Sequence, residues 1–172
     1  MKFSVYQIVR AHLLTLREAD SDSPSAWELT QFYVFPFIFS SIAFGLCVKL
    51  DTEFYSVSVS IFSIFCALLL SVQVALYSIL RDRLSLPDDP VEKEIEVRRH
   101  REERVLLREL NSNISYLILL SCIGVTIFLI FVAVDAYEVA QSAFFLYFYS
   151  HFFLTVLMVL KRAHAVFDIQ YR

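Results

Sequence analysis

Four long apolar blocks divide this chain, and they constrain its fold more than any other feature. Residues 32–48, 54–80, 114–134 and 142–160 contain no internal Asp, Glu, Lys or Arg. Each approaches or exceeds the ~20 residues that a helix rising ~1.5 Å per residue needs to cross ~30 Å of hydrocarbon. With 17 Phe, 9 Tyr and only 2 Gly in 172 residues, 58% of them hydrophobic, the chain is too apolar for an ordinary soluble domain. The expected fold is all-α: a polytopic membrane protein with a four-transmembrane-helix bundle, an amphipathic N-terminal helix and a charged cytosolic helical hairpin.

The division of the chain follows directly. Residues 1–31 form an interfacial amphipathic helix and linker, 32–80 the first two spans, 81–113 the charged hairpin, 114–160 the last two spans and 161–172 a tail. Residues 1–19 mix Lys2, Gln7, Arg10, His12, Arg17 and Glu18 among apolar side chains, so no cleavable signal peptide is expected. Fourteen of the fifteen Lys and Arg fall in residues 1–31, 81–113 and 161–172, and Lys49 alone lies in the two short loops. The positive-inside rule then places both termini and the hairpin in the cytoplasm.

Within the first segment, Val5, Ile8, Val9, His12, Leu13 and Leu16 share one side of a helical wheel. Such a helix either lies in the membrane interface as a sensor of lipid packing or packs beneath its own bundle. Ser25 and Glu28 have capping-box spacing, and Trp27 suits a headgroup anchor before the first span. Pro36 removes a backbone donor inside that span and should kink it unless a neighbour satisfies the freed carbonyl.

In the second span, Ser56, Ser60, Ser63, Ala67, Val74 and Ser78 recur on one helical face, which predicts a tight helix contact. The competing reading is a hydroxyl-lined pore. Gln73 is expected to point inward. His151, near the middle of the fourth span with Tyr147, Thr155 and Met158 on its side, is an intramembrane ionisable group. It reads either as a proton-sensitive switch or as a neutral imidazole that fixes packing by bonding Gln73 or a Tyr across helices. Asn111, Asn113, Ser115 and Tyr116 cluster where the third span begins. Cys47, Cys66 and Cys122 have no CxxC spacing and read as small apolar packing residues.

Asp89 and Pro90 are placed to start a helix that runs on into the third span. Its first half carries Glu92, Glu94 and Glu96 and its second Arg98, Arg99, Arg101, Arg104 and Arg108, a polarity that suits the helix dipole and an anionic leaflet. This segment reads either as a lipid-steering stalk or as a docking post, with Glu94, Arg98, Arg99, Arg101, Arg104 and Arg108 facing a partner. Interleaved glutamates argue against direct nucleic-acid binding. No paired intramembrane carboxylate, HExxH, GxSxG or phosphate loop is present, so no enzymatic activity, metal or cofactor is expected.

In the order of an amphipathic helix, two spans, a charged cytosolic helix, and two spans ending in His151 and Lys161-Arg162, the chain resembles small four-span proteins of bacterial anti-phage systems. The resemblance is greatest to the membrane subunit of the Kiwa system. It implies a homo-oligomer, a tetramer, in the bacterial inner membrane that senses phage attack and carries a cytosolic DNA-binding subunit; it transfers no functional residue. A membrane sensor and scaffold is thus the leading expectation. The other is an oligomeric ion channel or depolarising effector using Ser60, Ser63 and His151.

Overall fold

The computed structural model describes residues 5–15, 30–81, 90–134 and 137–171. All regular structure among them is helical. Helix α1 is Val5–Thr15. A π-helical turn, Thr30–Val34, leads into α2, Phe35–Gly45. Helices α3 (Thr52–Arg81), α4 (Pro90–Ala133) and α5 (Glu138–Tyr171) follow. The expected capping box at Ser25, the Trp27 anchor and the Asp89 N-cap lie outside the described residues. Side chains of Glu94, Arg98 and Arg99 do too, although the backbone there is helical within α4.

Three helices are long and apolar enough to cross a membrane: the stretches Thr52–Ser78, Glu103–Ala133 and Glu138–Val166. The first apolar block instead gives a shorter apolar helix, Thr30–Gly45. It stops three residues before the expected end at residue 48, and the cause is local. The Val48 N–H bonds to Ala43 O at 3.0 Å and the Cys47 N–H to Phe44 O at 3.1 Å. That pair of bonds defines a Schellman stop, with Cys47 in the left-handed position at φ 52°. At the other end of the chain, residues 161–171 continue α5 rather than leaving it as a separate tail.

Helices α3, α4 and α5 pack antiparallel, α4 touching both of the others, while α2 lies along α5 and α1 along α4. The space between α3 and α5 is filled by rings. Phe62, fully buried, meets Phe152 at 4.8 Å, Tyr149 at 5.2 Å, Phe148 at 5.4 Å and Phe128 at 5.6 Å between centroids. Several of these pairs are edge-to-face, the geometry that the aromatic quadrupole favours. Between lipid-embedded helices apolar burial supplies little drive, so this interlocking is what holds α3 and α5 together.

One glycine is required by that interlock. A Cβ on Gly124 would stand 2.9 Å from the Phe148 ring, itself wedged against Phe62 and Phe128. Gly124→Ala is therefore expected to destabilise the bundle by about 1–3 kcal/mol, the usual cost of overpacking. Gly45, with open space around its missing Cβ, is the matched control. Unfolding in a denaturing-detergent titration checks the pair, and equal shifts for Gly124→Ala and Gly45→Ala would refute the argument.

The loop from α2 to α3 is pinned at one hydroxyl. Ser142 Oγ donates to Glu138 O (2.8 Å) and accepts from the Leu50 N–H (2.9 Å) and the Tyr55 hydroxyl (3.2 Å), using its full bonding capacity. Lys49 Nζ sits 2.7 Å from Glu138 Oε2, which raises the lysine's pKa through that hydrogen bond and charge. Both side chains are largely exposed, so the pair contributes little to stability.

The serine face of α3 points away from the rest of the chain. Ser56, Ser60, Ser63, Ala67, Val74 and Ser78 are all exposed, so they make no tight contact within this chain. The opposite face, with Tyr55, Ser58, Phe62, Leu69, Gln73 and Leu76, turns inward. Bulky rings fill the wide gap to α5, whereas small residues would leave it void. The outward serines bond their own helix, Ser63 to Val59 O at 2.7 Å and Ser78 to Ala75 O at 2.7 Å.

Candidate functional site

Polar side chains are scarce in this bundle, and most of the buried ones gather where α1, the π-turn, α4 and α5 meet. His151 is the centre. Its Nδ1 lies 3.0 Å from Phe32 O, and its Nε2 lies 2.9 Å from the Tyr116 hydroxyl. A carbonyl only accepts, so Nδ1 carries the proton; Nε2 then has a lone pair and Tyr116 donates to it. The neutral imidazole is fully bonded in this one tautomer.

Pro36 explains why a carbonyl is available. In an α-helix Phe32 O accepts from the N–H of residue 36, and proline has none. The π-turn ends here and His151 supplies the missing donor. The kink expected at Pro36 is thus a helix entry whose freed acceptor is satisfied from α5. Around the imidazole, Tyr33 lies at 5.1 Å and Tyr147 is stacked at 6.2 Å. Thr155 donates to His151 O at 2.9 Å.

A second buried histidine adjoins the first through Tyr116. His12 is fully enclosed and its ring stacks on Tyr116, 3.9 Å between centroids with planes 7° apart. His12 Nδ1 is 2.8 Å from Asn113 Oδ1, so Nδ1–H donates. Thr15 Oγ1 lies 2.6 Å from His12 O and 2.8 Å from Asn113 Oδ1, and its single proton serves one of them at a time. From α5, the Arg162 guanidinium donates to Thr15 O at the end of α1 and sits 3.3 Å from Glu109 Oε2. A cation at the C-terminus of α1 also favours the helix dipole.

This seat strongly disfavours a charged His12. Burial lowers its pKa to about 4, aided by the positive Arg162 and by His151 and opposed by the Asn113 bond. His12 Nε2 and Asn113 Nδ2 are buried without a hydrogen-bond partner.

Of the residues singled out in the sequence, His151 enters this network together with His12, Asn113, Tyr116, Tyr147 and Thr155. Gln73 is half-buried on α3 and donates to Ser115 Oγ at 2.8 Å, so its partner is not His151. Ser56, Ser60 and Ser63 lie on the exposed face described above. Arg101, Arg104 and Arg108 are exposed along α4, three and four residues apart on one ridge, opposite the buried Leu107, Leu110 and Ile114. Sequence reasoning missed Thr15, Arg162 and the Phe32 carbonyl as network members. The Pro36 spacing was the one available signal for the last.

The chain matches no family model, no curated protein and no solved structure.

Proposed function

We propose that the chain is a non-enzymatic sensor and scaffold of the bacterial inner membrane. On this reading it has four spans with α2 as the shortest, both termini are cytoplasmic, and the chain assembles as a homo-oligomer. It recruits a cytosolic partner subunit, of the DNA-binding kind found in Kiwa-like anti-phage systems.

The observation that supports it is the continuity of α4. Its 44 residues extend ~66 Å, about twice the hydrocarbon thickness, as one uninterrupted helix. A segment that contacts His12 and His151 is therefore joined without a hinge to the ridge of Arg101, Arg104 and Arg108. Such a ridge suits an acidic partner surface more than a catalytic task, because arginine forks bind carboxylates in fixed, bidentate geometry. Leu107, Leu110 and Ile114 on the other side hold the base of the helix against Leu76 of α3 and Val166 of α5.

Co-purification tests the reading. The tagged chain, expressed with the products of its neighbouring genes and extracted in mild detergent, is expected to retain a soluble partner in a symmetric particle. Arg101→Glu, Arg104→Glu and Arg108→Glu together are expected to reduce capture at least tenfold while leaving the particle mass of the chain itself unchanged. Undiminished capture by the triple variant would remove the ridge from the argument.

The outward serine face of α3 favours one alternative, an ion channel or depolarising effector in which copies meet along that face around a water path. Ion flux into liposomes that responds to Ser60→Leu and Ser63→Leu separates it from the scaffold.

A further inference from the structure

Helix α1 is held to the bundle by Ile8 and Val9, which pack against the ring cluster, and by polar contacts gathered around a buried, neutral His12. The seat consists of the Asn113 bond, the stack on Tyr116, the shared Thr15 proton and the Arg162 bond to Thr15 O. The outer side of α1 presents Tyr6, Gln7, Arg10 and Leu14, so nothing among the described residues clamps it from above. Nε2 faces the interior with no acceptor within reach. A proton placed there would be a buried charge without a partner, with a fixed guanidinium nearby.

We infer that α1 is a proton-released latch: it stays docked on α4 and α5 while His12 is neutral and lets go when His12 is protonated. The mechanism is independent of the proposed partner ridge, since the seat lies on Asn113, Tyr116 and Arg162 and uses none of the exposed arginines.

The sign follows from linkage. The docked His12 has a pKa of about 4, below the ordinary 6.5 of the released helix, so the released state binds more protons. Docking is at full strength above pH ~6.5 and weakens as the pH falls from there toward 4. At pH 5 the released-to-docked ratio is about 20 times its value at pH 7.

Other groups facing the seat could mimic this response. On α4 these are Tyr116 and Glu109, the latter ion-paired to Arg162; on α5 they are Arg162 and His151. Tyr116 and Arg162 keep their protons across this range. Glu109 and His151 are the two competitors, and each is tested by its own variant.

The experiment is a distance measurement on the full chain in lipid nanodiscs. Cys47→Ala, Cys66→Ala and Cys122→Ala remove the native thiols, and Gln7→Cys with Lys161→Cys carry spin labels on the exposed sides of α1 and α5. Double electron–electron resonance from pH 7.5 to 4.5 should show one narrow distance giving way to a broad distribution, with the released-to-docked ratio rising about 20-fold between pH 7 and pH 5. His12→Gln, which keeps an amide to bond Asn113 but does not titrate, should flatten the curve. Glu109→Gln and His151→Gln should leave its midpoint in place.

An unchanged narrow distance in the parent down to pH 4.5 overturns the latch without recourse to any variant. A response that survives His12→Gln, or that disappears only in Glu109→Gln or His151→Gln, overturns the assignment to His12.

Discussion

Truncating Phe62 to alanine is expected to cost about 3–5 kcal/mol of folding free energy. Phe62 is fully buried and makes ring contacts with four other aromatic residues, drawn from both α4 and α5. Removing it opens a void at the junction of three helices, and the neighbouring rings cannot all collapse into it because Phe128 and Phe148 are also held by Phe145 and Phe144. The lost term is mainly packing, since a void inside the protein has no atoms to replace those the ring touched. Phe153→Ala is the control. That side chain is 61% exposed, so its truncation exchanges protein contact for lipid and should cost under about 1 kcal/mol. A denaturing-detergent titration of both variants in the same micelle decides the matter. Similar midpoints for Phe62→Ala and Phe153→Ala would mean that the ring cluster does not hold the bundle.

How far the sequence could be read depends on which physical contrast each feature supplies. Uninterrupted apolar runs stand out against charged ones, so α3, α4 and α5 were legible to within a few residues at most of their ends, as was the run of α4 from Pro90 into the apolar block. The end of α2 was not legible. Its left-handed stop falls on Cys47, a residue type without preference for that conformation, while Gly45 sits inside the helix. Which side of α3 faces its own bundle was not legible for a related reason. Periodicity tells which residues share a face, but a helix flanked by lipid on one side and protein on the other has apolar surroundings on both. Neither hydropathy nor the spacing of Ser56, Ser60 and Ser63 could say which side turns inward. Gap width decides, and gap width depends on the rings of α4 and α5, far away in the chain.

The buried network was half legible. His151 is conspicuous as an ionisable group in an apolar run, and Pro36 announces a carbonyl in need of a donor. Neither residue alone points to the other, because 115 residues separate them and only the antiparallel packing of α2 on α5 brings them to one level. The same packing sets Arg162 against the end of α1, a contact with no periodic signature. His12 is the one polar residue on the otherwise apolar face of Val5, Ile8, Val9, Leu13 and Leu16. Its bond to Asn113 and stack on Tyr116 make it the anchor of that helix, so the polar residue in the apolar face marks what the face packs against.

The link between Pro36 and His151 gives the second large effect, and it takes the form of a double-mutant cycle. His151→Leu removes the donor to Phe32 O and one partner of the Tyr116 hydroxyl, leaving the carbonyl unsatisfied and the hydroxyl with Tyr33 alone. The orphaned carbonyl costs about 1–3 kcal/mol and the lost Tyr116 bond less, with interhelical bonds in membrane proteins at the lower end, so a total loss of about 2–3 kcal/mol is expected. Pro36→Ala restores an N–H four residues after Phe32, and the carbonyl can then be satisfied within its own helix. In that background His151→Leu loses only the Tyr116 bond, so its cost should fall by about 1–2 kcal/mol. Tyr116→Phe supplies the complementary arm, because it leaves the Phe32 bond intact and removes the partner of Nε2 together with the bond to Tyr33. Its effect should add to that of Pro36→Ala without coupling. Stability of the four members, measured by the same detergent titration, gives the coupling energy directly. A value near zero for the Pro36 and His151 pair would show that the imidazole is not what satisfies the carbonyl freed by the proline. Coupling of the expected sign establishes that the break in the helix and the buried histidine are one device, in which a missing donor on α2 is supplied from α5.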